Sequence, residues 1–328
     1  MKAFDYAAPA SVEDAVKLLE PRHTAALGGG TDLINRMKDY VSSPEHIVYL
    51  KDVKSLAGIE SGRNALTIGA NTTLAALLAS DEVKTSYPAV WQSAYEVGTP
   101  QIRNMATVGG NLLQRPRCWY YRSGNGLLAI KDGKSLVRAG DNRYHAIFLT
   151  DGDALFVSPS SLAPALIALG AKATVQGLKG ERTIPVADLY RVPKSAQERE
   201  LSLQHGELLT KVTIPVTKAK NASVEARQKQ SHDWPLALAS AVLDLDGDRV
   251  RSARIVLGAV APVPLRSEAA EKAITGKPVT LETAAAAAEA AVQDAKPLSM
   301  NAYKVALTKT VVKRALLAAV GNRYWEEG

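Results

Sequence analysis

Residues 27–33 read LGGGTDL, and they lie between a short apolar stretch, residues 24–27, and a run over residues 31–40 with the composition of a helix. Three consecutive glycines let the backbone approach a ligand closely and turn successive N–H groups toward an anion. The positive end of the following helix dipole would add to this attraction. The stretch therefore predicts a pyrophosphate-binding turn, with a tight strand-to-helix turn that binds nothing as the alternative.

A second glycine element, ATVGGNLL, occupies residues 106–113. Gly109 and Gly110 again permit close backbone approach, and the side chains of Thr107 and Asn111 offer hydrogen bonds that could orient a ligand. Neither element has the G-x-G-x-x-G spacing of a Rossmann domain or the spacing of a Walker A loop. Two such turns about 80 residues apart suggest one elongated ligand that is held from two sides.

Composition excludes several classes of protein. The chain has 328 residues, a net charge of +7 and one cysteine. A single thiolate excludes an internal disulfide, a cysteine-rich zinc module and an iron–sulfur cluster held by this chain alone. Basic residues are scattered instead of forming a nucleic-acid patch, so no nucleic-acid partner is predicted. No apolar run reaches the roughly 20 residues of a membrane span, and the N-terminus lacks the apolar core of a secretory signal.

The hydrophobic pattern divides the chain into dissimilar parts. Short α/β units are predicted over the first 85 residues, with a helix from Val12 capped at Ser11, and a further helix is predicted over residues 88–97. Residues 98–150 are rich in glycine, asparagine and arginine, and a loop of that length is usually functional or covers a ligand. The polar residues 218–222 are the best candidate boundary. Beyond them, two strands around Gly247 predict a hairpin, and helices complete an antiparallel sheet with a helical cover.

Few other residues carry a chemical signal. The five histidines are too far apart in sequence to form a helical metal pair. Cys118 follows Arg115 and Arg117, whose charges would lower the pKa of its thiol and make it reactive. A partly buried, inert thiol is the favoured alternative. No catalytic acid or base and no metal ligand can be assigned.

The two glycine elements and their surroundings resemble a known family. Residues 2–6 (KAFDY), 28–33 (GGGTDL), 98–104 (GTPQIRN), 106–112 (ATVGGNL), 233–236 (DWPL) and 257–266 (LGAVAPVPLR) are similar to the FAD-binding medium subunits of molybdenum hydroxylases. That family contains the xanthine dehydrogenases, carbon monoxide dehydrogenases and aldehyde oxidoreductases. The resemblance covers nearly the whole chain, and the order of the two glycine elements is specific to the family.

The resemblance implies an α+β fold. A two-lobed FAD-binding domain of the vanillyl-alcohol oxidase or MurB-like type would cover residues 1–217, with lobes over about 1–55 and 56–217 and a long loop over 112–150. A smaller C-terminal domain of the carbon monoxide dehydrogenase flavoprotein type would cover residues 222–328. FAD would lie between the two lobes. The residues implied to bind it are Ala26, Leu27, Gly28, Gly29, Gly30, Thr31, Asp32, Leu33, Thr107, Val108, Gly109, Gly110, Asn111, Ser161 and Lys229.

The resemblance also implies a role in electron transfer within a heteromeric complex. A partner subunit with [2Fe–2S] clusters would deliver electrons that originate in a molybdopterin subunit, and an acceptor such as NAD, a quinone or oxygen would receive them. The isoalloxazine ring would perform the redox chemistry while the protein positions it. The expected compartment is the cytoplasm, with export on a partner's signal as the alternative.

Three departures from the family pattern bear on these expectations. Residues 114–122 (QRPRCWYYR) resemble a branch, containing 4-hydroxybenzoyl-CoA reductase and periplasmic aldehyde oxidoreductase, whose extra loop binds a [4Fe–4S] cluster through four cysteines. Here only Cys118 remains, so the loop is predicted to persist without a cluster. Ser161 stands where the family has an aspartate, and Glu225 where it often has a lysine, Lys229 being the nearest alternative.

These departures leave two other functions open. The chain could be a docking subunit that keeps the fold and has lost FAD. It could also be a stand-alone flavin oxidoreductase that works without partner subunits. Flavin content of the purified protein separates the first from an electron-transfer subunit, and turnover of an NADH-type donor by the isolated chain would identify the second.

Overall fold

The computed structural model describes residues 1–229 and 232–326. Its strands, in chain order, are β1 (Asp5–Ala7), β2 (Thr24–Leu27), β3 (His46–Tyr49), β4 (Ile59–Ser61), β5 (Ala65–Gly69), β6 (Ile130–Lys131), β7 (Lys134–Ser135), β8 (Lys172–Gly177), β9 (Gly180–Pro185), β10 (Leu208–Pro215), β11 (Lys220–Ala226), β12 (Ala237–Asp246), β13 (Arg249–Gly258) and β14 (Leu265–Arg266).

Thirteen α-helices are found in the same described residues. They are α1 (Val12–Leu19), α2 (Leu33–Lys38), α3 (Leu74–Leu78), α4 (Asp81–Ser86), α5 (Pro88–Tyr95), α6 (Pro100–Met105), α7 (Val108–Leu112), α8 (Trp119–Arg122), α9 (Leu136–Ala139), α10 (Leu162–Ala168), α11 (Glu268–Ile274), α12 (Leu281–Ala290) and α13 (Tyr303–Ala319). None of them combines the length and the hydropathy that crossing a membrane requires. Helices and largely antiparallel sheets confirm the predicted α+β class.

The first sheet is small and parallel, with strand order β1-β3-β2. Helix α1 packs against it through Ala15, Val16 and Leu19. The predicted capped start is confirmed, because the Ser11 hydroxyl accepts a hydrogen bond of 3.1 Å from the amide of Asp14. Strand β2 ends at Leu27, and the first glycine element therefore leaves this sheet at the carboxyl end of a parallel strand.

The second sheet is antiparallel, with strand order β4-β5-β10-β8-β9. Its core also contains the apolar faces of helices α3, α5, α7 and α10. Helix α7 packs on β5 and β10, and it carries Gly109 and Gly110. Gly109 lies close to the end of β5, and its amide donates a hydrogen bond of 2.8 Å to the carbonyl oxygen of Ala70. The first glycine element thus follows a strand of the first sheet, and the second lies in a helix that packs on the second sheet.

The third sheet has the order β11-β12-β13-β14 and is covered by helices α11, α12 and α13. The predicted hairpin around Gly247 is confirmed: β12 and β13 pair in antiparallel register, and Gly247 has φ of 60°. Residues 218–222, predicted to be a polar domain boundary, include the start of β11, which pairs with β12 along its whole length. Its sequence, KNASVEA, lacks a clear apolar alternation, so the pairing with a buried neighbour creates a strand that periodicity does not predict.

The segment over 112–150 corrects the prediction of a long loop. It contains α8, α9 and the β6–β7 hairpin, and it buries small apolar clusters of its own. Ile147 and Phe148 enter the core of the C-terminal sheet. Short elements of two to four residues have too little periodicity to be read from sequence, and tertiary packing fixes them instead.

Candidate functional site

The loop between β2 and α2 leaves a row of backbone donors without acceptors. The amides of residues 28–32 donate no hydrogen bond to any residue within 1–229 and 232–326. Gly30 has φ of 76°, and a Cβ on Gly29 would collide with the carbonyl oxygen of Met105. Glycine is therefore required at both positions, and five consecutive N–H groups remain available to an anion.

The second glycine element is held by its own side chains. The Thr107 hydroxyl accepts from the amide of Gly110 at 3.0 Å, which caps α7. The Asn111 side-chain oxygen accepts from the Ser160 hydroxyl at 2.7 Å and from the amide of Leu162 at 3.3 Å. The groups predicted to orient a ligand thus fix the backbone of α7 and the start of α10, because these polar atoms are buried and need partners.

The two elements meet and line a common groove. An ideal Cβ on Gly28 would lie 3.2 Å from the Thr107 hydroxyl oxygen, so the backbone of the first element lies against a side chain of the second. A cleft of about 130 Å³ is lined by residues 26–33 together with Thr107, Gly109 and Gly110. A second cleft of about 250 Å³ shares four residues with the first; these are Thr31, Asp32, Gly110 and Gln114. Together they form an elongated groove, the shape that a dinucleotide needs.

Most of the predicted binding residues line this groove, and two do not. Ser161 and Asn111 line the larger cleft, beside Trp234. Val108 is 1% exposed and packs in the core of the second sheet. The side chain of Lys229 is exposed and lies outside both clefts. Val108 therefore anchors α7 in the core, and the predicted roles of Val108 and Lys229 toward FAD stay predictions.

Asp32 is surrounded by arginines that the sequence pattern did not connect to it. Its carboxylate lies 3.1 Å from Nε of Arg36, 3.0 Å from Nη1 of Arg117 and 2.8 Å from Nη2 of Arg122. Burial raises the pKa of Asp32, but the three guanidinium groups outweigh it and hold that pKa below its usual value. Three cations around one anion leave excess positive charge beside the loop 28–32, where it favours a bound anion.

Arg117 extends this cluster to the C-terminal part of the chain. Its guanidinium lies 4.2 Å from the ring centroid of Trp234, a cation–π contact at the larger cleft. Burial is the main cause that lowers the pKa of Arg117 to about 10, so the group stays charged at neutral pH. The cluster therefore connects the first glycine element, the segment after α7 and the segment around Trp234.

The position where the family often has a lysine holds a buried acid. The Glu225 side chain is 5% exposed, and its Oε1 lies 3.1 Å from Nε of Arg227. Burial is the main cause that raises the pKa of Glu225 to about 8. Ser161 lines the larger cleft, whereas Glu225 is not among its lining residues.

The surroundings of Cys118 are those of a protonated thiol. Its sulfur lies 3.1 Å from Nε2 of His145, and burial raises the pKa of the thiol. The structure agrees with the favoured interpretation of a partly buried, inert thiol, because the guanidinium groups of Arg115 and Arg117 pair with Glu200 and Asp32. Across residues 1–229 and 232–326, no group of three or more His, Cys, Asp and Glu side chains is arranged to hold a metal ion.

Sequence reasoning missed several groove residues because their partners are distant in the chain. Glu96, Gln114 and Trp234 line the larger cleft, and Arg36 lines the smaller one. The dense patch of Arg115, Arg117 and Arg122 between aromatic residues was the available signal, but Asp32, its shared counter-ion, is more than 80 residues away. Only the fold brings them together.

Comparison with known proteins agrees with this geometry. The family described as the FAD binding domain in molybdopterin dehydrogenase matches residues 2–217, and the CO dehydrogenase flavoprotein C-terminal domain matches residues 222–319. The carbon monoxide dehydrogenase medium chain of Afipia carboxidovorans is 31% identical over 323 residues, 96% of each chain. The FAD-binding subunit of Escherichia coli aldehyde oxidoreductase is 29% identical over 333 residues, 97% of this chain and 99% of that subunit.

The solved structures give the same result. A chain of the carbon monoxide dehydrogenase from Hydrogenophaga pseudoflava superimposes with a TM-score of 0.76 at 28% identity, covering 97% of this chain and 98% of that one. The fold, the two family matches and the relatives agree over nearly the whole length. The chain therefore belongs to the oxidoreductase family of FAD-binding medium subunits of molybdenum hydroxylases.

Proposed function

We propose that this chain holds FAD in the groove between its two glycine elements and passes electrons from a [2Fe–2S] partner subunit to an external acceptor. The observation that carries the proposal is the row of five amides at residues 28–32, which lack acceptors and line the smaller cleft. Buried or half-buried N–H groups without partners are costly, so such a row points to a ligand that satisfies them.

The residues present fit FAD. The pyrophosphate would accept hydrogen bonds from the amides of residues 28–32, beside the positive charge of the Asp32 cluster. The larger cleft, with Trp234, Ser161 and Asn111, would take the isoalloxazine ring. FAD would supply the redox chemistry, while the chain binds it, orients it and limits the access of water.

The partners follow from the relatives, and they are part of the proposal. The relatives named above are a medium chain and an FAD-binding subunit, terms that describe components of larger enzymes. We infer a complex with a small subunit that carries [2Fe–2S] clusters and a large subunit that carries molybdopterin. The acceptor would be NAD, a quinone or oxygen.

Substitution of Gly28 tests the FAD site. In Gly28→Ala the new methyl group lies 3.2 Å from the Thr107 hydroxyl and enters the contact between the two elements. We expect the purified variant to bind FAD at least about tenfold more weakly, measured by flavin absorbance per chain and by titration of the apoprotein. Gly152→Ala is the matched control, since its Cβ would meet no atom within 4 Å.

The outcomes separate the proposed role from its alternatives. Equal flavin affinity of Gly28→Ala and the wild type would contradict the binding site. A colourless wild-type protein that cannot be reconstituted with FAD would identify a docking subunit instead. Turnover of an NADH-type donor by the isolated chain would favour a stand-alone oxidoreductase over an electron-transfer subunit.

A further inference from the structure

A third cleft adjoins the groove and has aromatic walls. Its volume is about 170 Å³, and among the residues that line it are Arg117, Trp119, Tyr144, His145, Phe156 and Trp234. We name it the aromatic cleft. Its lining residues that also line the larger cleft, where the isoalloxazine ring is proposed to lie, are Arg117, Asp233, Trp234 and Pro235. A ligand in the aromatic cleft would therefore lie next to the redox-active part of the cofactor.

The aromatic rings pack against one another, so the walls of the cleft are preformed. The ring of Trp119 lies edge-on to the ring of Tyr144, with centroids 5.4 Å apart, and edge-on to His145 at 5.7 Å. The Tyr144 hydroxyl donates to the side-chain oxygen of Gln228 at 3.0 Å, which joins two walls of the cleft. Aromatic walls in fixed positions favour a planar ring as the ligand, because such rings gain stacking and edge-to-face contacts.

One unsatisfied hydrogen-bond donor belongs to Arg117. Its Nη1 lies 3.0 Å from the carboxylate of Asp32, and its Nη2 donates to the side-chain oxygen of Gln114 at 2.9 Å. Its Nε atom is buried and has no hydrogen-bond partner in residues 1–229 and 232–326. A buried donor without an acceptor is costly, so this N–H group points to a ligand that supplies an acceptor atom.

A second unsatisfied donor belongs to His145. Its Nε2 lies 3.1 Å from the sulfur of Cys118, whereas its buried Nδ1 has no partner in the part of the chain that the structure describes. Burial keeps the thiol protonated and is the main cause that lowers the pKa of His145 to about 4, so the imidazole is neutral. We assign the S–H group as donor to Nε2, which leaves the imidazole proton on Nδ1.

Charge and size narrow the class of ligand. The side chains of Arg117 and Asp233 line the cleft with opposite charges, so a neutral ligand suits it better than a cation or an anion. Apolar cavities of about 150 Å³ bind benzene, so a volume of about 170 Å³ suits one small ring system. It lies well below the roughly 300 Å³ at which sites for larger ligands begin, which excludes a whole dinucleotide.

We propose that the aromatic cleft binds the ring of a neutral quinone, the electron acceptor of this chain, whose carbonyl oxygens accept hydrogen bonds from Nε of Arg117 and Nδ1 of His145. This inference rests on the proposed function and selects one of the acceptors considered there. The quinone gains two electrons and two protons from FADH2 and leaves as a hydroquinone, which regenerates FAD. Negative charge develops on the carbonyl oxygens during reduction, and the two N–H groups stabilise it.

Binding of menadione to the FAD-loaded chain, measured by isothermal titration calorimetry, tests the proposal. We expect one saturable site in the wild type. Trp119→Leu removes an aromatic wall, and His145→Phe keeps a ring but removes the Nδ1 donor, so each should bind menadione about tenfold more weakly. Val157→Phe narrows the cleft without removing a donor and should weaken binding at least as much. Tyr95→Leu, an exposed aromatic side chain on α5, is the control and should match the wild type.

A ligand without carbonyl groups separates hydrogen bonding from a loss of structure. The wild type should prefer menadione to 2-methylnaphthalene, which has the same ring system and no acceptor oxygen, and His145→Phe should lose most of that preference. All variants should keep the flavin content of the wild type. Equal menadione affinity in the wild type, Trp119→Leu and His145→Phe would overturn the proposal, as would displacement of menadione by NAD. Normal FAD binding without menadione binding contradicts this inference alone, whereas absence of FAD binding overturns the proposed function.

Discussion

At the scale of single residues, burial governs the protonation of Cys118 and His145 more than their nearest charged neighbours do. Cys118 lies close in sequence to two arginines, yet burial raises the pKa of its thiol. Burial also lowers the pKa of His145 to about 4, so the thiol faces a neutral imidazole that cannot stabilise a thiolate. Pairing of the arginines with Asp32 and Glu200 explains why their charge does not reach the sulfur.

Alkylation of Cys118 tests this explanation. The native protein should react with iodoacetamide at pH 7.5 at least about a hundredfold more slowly than the protein unfolded in urea, because the buried thiol stays protonated. Mass spectrometry over time measures the rate, and the unfolded chain is its own control since Cys118 is the single cysteine. Comparable rates in the two states would show that the thiol is activated after all.

At the scale of elements, the segment over 112–150 is attached to the C-terminal domain by the first turn of α13. The ammonium group of Lys304 lies 2.7 Å from the carbonyl oxygen of Ala259 and 3.0 Å from that of His145. Asn301 also donates to the carbonyl oxygens of His145 and Ala146, at 3.1 and 3.0 Å. These bonds satisfy a backbone bend that has no sheet or helix partners of its own.

Replacement of Lys304 should therefore loosen this attachment. Lys304→Met keeps the length of the side chain but leaves the carbonyl of Ala259 buried without its donor, and we expect a loss of about 2–4 kcal/mol in the free energy of unfolding. Urea denaturation measures it. Lys309→Met, five residues later on the partly exposed face of α13, should change stability by less than about 0.5 kcal/mol. Similar losses in both variants would refute the anchoring role.

At the scale of the whole molecule, local signals predicted the regular elements and long-range contacts determined the rest. Strand β2 and the β12–β13 hairpin follow from apolar runs bounded by glycine and Asp-Gly turn chemistry. Strand β11 and the elements within 112–150 have weak periodicity, and only their packing partners create them. The domain boundaries near residue 217 and the lobe boundary near residue 55 stay predictions.

The groove likewise contains some residues that the sequence identifies and others that only the fold reveals. The glycine residues of both elements were identifiable, since glycine runs between a strand and a helix have a physical meaning of their own. The contacts of Arg117 and Arg122 with Asp32, and of Arg117 with Trp234, were not, because each joins residues more than 80 positions apart. Charge and burial at a site built from three parts of the chain depend on the fold.

Hydrogen–deuterium exchange of the full chain, with and without FAD, tests the central claim most directly. The amides of residues 28–32 have no acceptor within the described chain, so they should exchange quickly in the apoprotein. Their exchange should slow by at least about tenfold when FAD saturates the protein, while the distant strands β12 and β13 remain unchanged. Saturation with FAD that leaves the exchange of residues 28–32 unaltered would contradict the claim that this row of N–H groups holds the pyrophosphate.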